Sequence, residues 1–157
     1  MADGAYRIVV IGAGFGGLTA AKILKQRGID FTVYEKADEV GGTWRENTYP
    51  GLYVDVPSRQ YEFPFRPNYD WSRQFAPAPE IQAYIKDVTD ELGLRRFIRF
   101  NEEIVSVRFE DGRWRIATGM GETDVADAII CATGFLREPI YPDIEGRDSF
   151  AGSAFHS

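Results

Sequence analysis

A chain of 157 residues, 44% hydrophobic and 27% charged, has the size and composition of one globular domain with a buried core. Its 24 acidic residues outnumber its 18 basic ones, for a formal net charge of -6, which argues against nucleic acid or an anionic membrane as its main partner. A single cysteine, Cys131, excludes an internal disulfide, no apolar run approaches transmembrane length and no signal pattern opens the chain, so a reducing cytoplasmic setting is expected.

Ile8, Val9, Val10 and Ile11 form the short apolar run of a buried parallel strand. The run breaks into Gly12-Ala13-Gly14-Phe15-Gly16-Gly17, after which Leu18, Ala20, Ala21, Ile23 and Leu24 continue as a helix that Gly28 stops. Phe31 to Tyr34 reads as a second strand with Glu35 at its end. A GxGxxG alone is weak evidence, but between a strand and a helix, with an acid closing the next strand, it is specific for dinucleotides. Gly12 allows the tight turn, Gly14 lets backbone approach a pyrophosphate, and Gly17 lets helix and strand pack closely. The helix N-terminus offers unpaired N–H groups to phosphates, and Glu35 accepts hydrogen bonds from an adenosine ribose while repelling a 2′-phosphate. FAD or NAD is therefore expected in preference to NADP, and a tight turn without a ligand is the plainer alternative. No Lys-Ser/Thr pair follows the glycines, which excludes a phosphate-binding P-loop.

Residues 37–79 show little periodicity and carry Gly41, Gly42, Gly51 and six prolines among many aromatic residues. So long an irregular stretch is more often functional than a spacer, and its aromatic content argues against disorder. A helix follows near Glu80, with Ile81, Tyr84, Ile85, Val88 and Leu92 on one packing face and Gly93 at its end. Short strands are expected at 98–100, 103–109, 113–118 and 123–131, with Asp111-Gly112 as a hairpin turn. They suggest a β-meander whose last, most apolar member returns to the parallel sheet. Cys131 then reads as an inert thiol of a buried strand. The expected fold is α/β, a Rossmann-like arrangement of parallel sheet, helix layer and meander.

Four separated motifs resemble the N-terminal FAD-binding part of class B flavoprotein monooxygenases, the Baeyer–Villiger and flavin-containing monooxygenase group. They are the GAGFGG turn with Glu35; Gly41-Gly42-Thr43-Trp44 leading through Asn47, Tyr49-Pro50-Gly51 and Asp55; Cys131-Ala132-Thr133-Gly134 with Pro139 and Pro142; and Phe150-Ala151-Gly152 through His156 and Ser157, which matches the opening of the FxGxxxHxxx(W/P) fingerprint. The resemblance implies FAD as cofactor, with NADPH and O2 as co-reactants and a ketone or other soft substrate. It places Gly12, Gly14, Phe15, Gly17 and Glu35 on the ADP half. Gly42, Thr43, Trp44 and Tyr61 fall beside the ribityl and flavin, Ile104 has its backbone at the adenine, and Ala132, Thr133 and Gly134 lie where the chain leaves the domain. Aromatic packing explains Trp44 and Tyr49 equally well. The resemblance also gives Asp55 a catalytic and cofactor-side role, as an anion near the flavin's reactive edge that supports an arginine.

The same resemblance implies that residues 1–157 form a single, incomplete FAD domain, without the second, NADPH-binding domain and the C-terminal return that relatives carry. GGTW and Asp55 favour insertion of oxygen next to a ketone carbonyl over nitrogen or sulfur oxidation. A nucleotide-binding module without turnover is the competing class. His156 with Ser153 or Ser157 does not suggest a hydrolase, because no GxSxG elbow is present, and no metal-ligand spacing occurs.

Overall fold

The computed structural model of the protein describes residues 6–136 and 139–156. Ser157, the last residue of the fingerprint read from the sequence, lies outside the described residues. Strand β1 (Arg7–Ile11) leads through the glycine turn into helix α1 (Phe15–Arg27) and back into β2 (Asp30–Tyr34). Gly28 adopts the left-handed conformation, and its N–H bonds to Lys25 O at 3.2 Å, which is why the helix stops there. A one-turn helix α2 (Thr43–Glu46) interrupts the irregular segment, and α3 (Ala78–Glu91) follows with Pro79 in its first turn, where a missing N–H costs nothing.

A short strand β3 (Ile98–Arg99) pairs with β2, which pairs with β1, and β1 with β7 (Ala128–Cys131), giving a four-stranded parallel sheet in the order β3-β2-β1-β7. Strands β4 (Ile104–Glu110), β5 (Arg113–Thr118) and β6 (Thr123–Ala126) form the antiparallel meander. Asp111 and Gly112 both take positive φ, 53° and 79°, as the expected two-residue hairpin turn requires.

Residues 123–131, read from sequence as one strand, divide at Asp127. The Asp127 N–H donates to Arg7 O at 2.9 Å and its carboxylate accepts from Arg7 N–H at 2.8 Å, so the chain leaves the meander and enters the parallel sheet at one pinned residue.

Adjacent residues of β1 face opposite layers, as strand geometry demands. Val10 packs with Leu18, Ala21 and Leu24 of α1 and with Ile81, Ile85 and Val88 of α3, whereas Val9 packs with Tyr34, Ile116 and Ala126 under the meander. Leu18, Ile81 and Ile85 are at most 1% exposed, and full burial of such a side chain contributes about 1.5–3 kcal/mol. The irregular segment adds its own core: Phe63, 1% exposed, sits 4.5 Å from the Phe15 ring and 5.7 Å from Tyr84, whose hydroxyl accepts a 2.8 Å hydrogen bond from the Phe63 N–H.

Cys131 differs from the expectation. It is exposed, because β7 is the outer strand of the sheet among the described residues and its last residue stands at the sheet's rim. Among the described residues no helix is long and apolar enough to cross a membrane.

Candidate dinucleotide-binding site

The carboxyl ends of β1, β2 and β7 converge, and the open end of a parallel sheet is where doubly wound folds hold ligands. The Gly12 N–H donates to Tyr34 O at 2.8 Å and the Ala132 N–H to Ile11 O at 2.8 Å, which ties the three strand ends together.

Gly12, Gly14 and Gly17 of the turn differ in what a side chain would meet. Gly12 has φ of 99°, and a Cβ there would lie 2.5 Å from Ala132 O. A Cβ at Gly17 would lie 1.8 Å from Gly12 O, so the helix can approach the turn only without a side chain. At Gly14 a Cβ would meet nothing closer than Gly42 Cα at 3.7 Å, so the turn itself does not demand glycine there. The space above Gly14 is room for a ligand to reach backbone. No side chain caps α1 and no acid stands in its first turn, so its N–H groups and positive dipole end are left to an anion.

Glu35 is 7% exposed and does more than face the cleft. One carboxylate oxygen accepts from the Ala13 N–H at 2.7 Å and the other from the Ala37 N–H at 2.9 Å. A carboxylate has about four acceptor sites, so two remain for ribose hydroxyls while the backbone bonds fix its orientation.

The Gly41-Gly42 segment is anchored to the same turn through the Gly41 N–H and Ala13 O at 3.1 Å. Gln82 of α3 supports it from outside, its amide donating to Val40 O at 2.7 Å. Helix α2 then presents Thr43 and Trp44. The Trp44 indole N–H donates to the Tyr61 hydroxyl at 3.0 Å, and Phe15 meets the Tyr61 ring edge-on at 5.1 Å, which forms an aromatic wall.

One cleft of about 380 Å³ is lined by every residue assigned from the sequence except Gly17 and Asp55. Gly17 lies behind the turn as a packing residue. Asp55 is exposed, flanked by buried Val54. It lines neither this cleft nor a second one of about 500 Å³, which lies between α2, Tyr49–Tyr53 and the start of α3 and shares Trp44 as a wall.

Sequence reasoning missed Tyr34, Lys36 and Glu102, which line the cleft beyond Glu35. Lys36 pairs with Glu46 at 3.5 Å, and Tyr34 donates to Asp124 at 2.8 Å. Their neighbours in sequence carry a partial signal, since Glu35 lies between Tyr34 and Lys36 and Ile104 lies two residues beyond Glu102. Burial of Glu102 depends on the meander folding over it and has no local signature.

This turn, helix terminus and strand-end acid around one cleft define a dinucleotide-binding domain of Rossmann type. The family described as an NAD(P)-binding Rossmann-like domain matches residues 10–77. A Baeyer–Villiger monooxygenase of Streptomyces coelicolor is 49% identical over 154 residues, covering 96% of this chain and 30% of the relative. Another from Pseudomonas aeruginosa is 38% identical, with 96% of this chain and 29% of the relative covered.

Among solved structures, a steroid monooxygenase bound to NADP superposes with a TM-score of 0.82 at 37% identity, over 91% of this chain and 29% of that one. The OTEMO complex with FAD and NADP gives 0.83 at 35%, over 97% and 30%. The chain spans about 30% of the length of the relatives it matches. It is homologous to the N-terminal part of the Baeyer–Villiger group of flavoprotein monooxygenases.

Proposed function

We propose that the chain binds FAD as the FAD-holding part of an NADPH- and O2-dependent monooxygenase of Baeyer–Villiger type, which inserts oxygen beside a ketone carbonyl. The observation that carries this reading is the fit of the cleft to a dinucleotide: room above Gly14, an uncapped helix terminus beside it, and an oriented Glu35 carboxylate at the far strand end. When bound, the flavin supplies the oxygen-activating chemistry.

This chain's own residues bind and orient it. The α1 terminus holds the pyrophosphate against Gly12 and Gly14, and Glu35 accepts from the ribose. Ile104 offers its backbone to the adenine, while Ala132, Thr133 and Gly134 close the cleft from the end of β7. Trp44 and Tyr61, packed against Phe15 of the ADP half, form an aromatic wall that excludes water from the flavin end, with Gly42 and Thr43 along the ribityl chain. Asp55 has a positioning role in this reading: its charge holds an arginine cation near the flavin's reactive edge. NADPH serves as the reductant of the whole enzyme, and none of its contacts is assigned to the described residues.

Titration of the purified chain with FAD, followed by quenching of flavin fluorescence, tests the reading. Saturable 1:1 binding that ADP displaces supports it, and FAD that stays fully fluorescent at micromolar protein contradicts it.

A further inference from the structure

Gln82 lies near the start of α3, where Ile81 and Ile85 are fully buried and fix the helix in the core. It does not line the dinucleotide cleft, but its side chain reaches the segment that does. Nε2 donates to the O of Val40, a residue 0% exposed, so water does not stand in for this donor. Oε1 is buried without a hydrogen-bond partner among the described residues and rests against Gly41 instead. A Cβ on Gly41 would come within 2.7 Å of the Gln82 amide carbon, so the amide fills the space of the side chain that Gly41 lacks. An unpaired buried amide oxygen costs stability, so the energy of the fold alone does not explain this contact.

Gly41 and Gly42 are adjacent, with φ of 130° and 55°, both in the range that favours glycine. Two such residues lose more conformational freedom on being fixed than any other pair. Their place matters to the cleft. A Cβ on Gly42 would lie 3.4 Å from Gly14 Cα, so Gly42 is the wall that faces Gly14. In the proposed site a diphosphate over Gly14 lies beside Gly42, and the part of the dinucleotide beyond it meets Thr43 and Trp44, which line the same cleft.

We propose that Gln82 is a positioning residue for the cofactor: from outside the cleft it holds Gly41 and Gly42 against Gly14, and so keeps the Thr43 and Trp44 wall in place for the half of the dinucleotide beyond the diphosphate.

The inference rests on the reading of the cleft as an FAD site. Calorimetric titration with FAD and with ADP compares wild type with two variants. Gln82→Met keeps the length and volume of the side chain without the donor, and Gln82→Ala removes both. Gln82→Met should bind FAD roughly tenfold more weakly, the scale of one lost buried hydrogen bond and a segment that must be ordered on binding. Its affinity for ADP should stay within about threefold of wild type, and Gln82→Ala should widen the gap between the two ligands.

Amide hydrogen exchange separates this from a general loss of stability. The Trp44 and Arg45 N–H groups donate to Gly41 O and Gly42 O. In the unliganded variants they should exchange faster, while those of β1 and β2 keep the wild-type rate, and saturating FAD should remove the difference. Equal losses of FAD and ADP affinity, an FAD affinity unchanged in both variants, or faster exchange throughout the chain would overturn the assignment alone. A wild type that binds neither ligand would overturn the site reading and this inference with it.

Discussion

Glu35 illustrates how one side chain combines construction and recognition. Its carboxylate holds the Ala13 and Ala37 N–H groups, so Glu35→Ala removes two backbone partners together with the proposed ribose acceptor. ADP affinity should fall by about 1–3 kcal/mol, and unfolding should shift to a lower temperature because two buried N–H groups lose their partner. Wild type should also prefer ADP over adenosine 2′,5′-bisphosphate, since the carboxylate repels a 2′-phosphate. Calorimetry on the two ligands checks both outcomes. Asp55 behaves differently: being exposed and outside both clefts, its replacement by Ala should leave ADP and FAD affinity within about twofold. A tenfold loss measured in the same titration would place Asp55 in direct contact with the cofactor.

A third residue governs stability against pH. Burial opposes ionisation of Asp124, but hydrogen bonds from Arg7, Tyr34 and the Val125 N–H outweigh it and hold its pKa below the ordinary 3.8. A carboxyl with a lowered folded pKa contributes stability that is complete above the unfolded value and is lost as the pH falls through the folded one. Asp124→Asn should therefore cost about 1.5–3 kcal/mol at pH 7, with the gap to wild type closing below about pH 4. Urea unfolding of both proteins from pH 3 to 8 measures that gap. Tyr34 reinforces the sign, since burial first and Asp124 next push its phenol up to about 12 and keep it a neutral donor.

At the scale of elements, the β1-turn-α1-β2 unit was legible because its signals are local: an apolar run, three glycines at fixed spacing, a glycine stop and a strand-end acid. The glycines give a paired prediction. Gly17→Ala pushes a methyl to 1.8 Å from Gly12 O and should destabilise the fold by several kcal/mol. Gly14→Ala meets only ordinary contact and should fold with little change in Tm, yet lose FAD by about tenfold or more because the methyl occupies the ligand's approach. Comparing melting curves with FAD titrations for the two variants separates packing from recognition.

What the sequence concealed was non-local. The exposure of Cys131 follows from the place of β7 in the strand order, and the division at Asp127 follows from its bonds to Arg7. Phe63 became a core residue through rings contributed by α1 and α3, across a segment with no periodicity to announce it.

At the scale of the molecule, three layers serve one cleft. The helices bury one face of the parallel sheet, the meander covers the other, and the strand ends between them carry the site. In the proposed FAD site Glu35 serves the adenosine half and the Trp44 and Tyr61 wall the flavin half, so the two halves of FAD would make separable contributions. Most of the affinity should come from the ADP half, where the helix terminus and the charged acceptors lie. The central claim is that this cleft recognises FAD through its adenosine diphosphate. The most direct measurement is parallel titration of the chain with FAD, ADP and FMN. FAD and ADP should bind within about tenfold of each other and FMN at least about a hundredfold more weakly than FAD, on the scale of several lost hydrogen bonds. Equal affinity for FAD and FMN would contradict it.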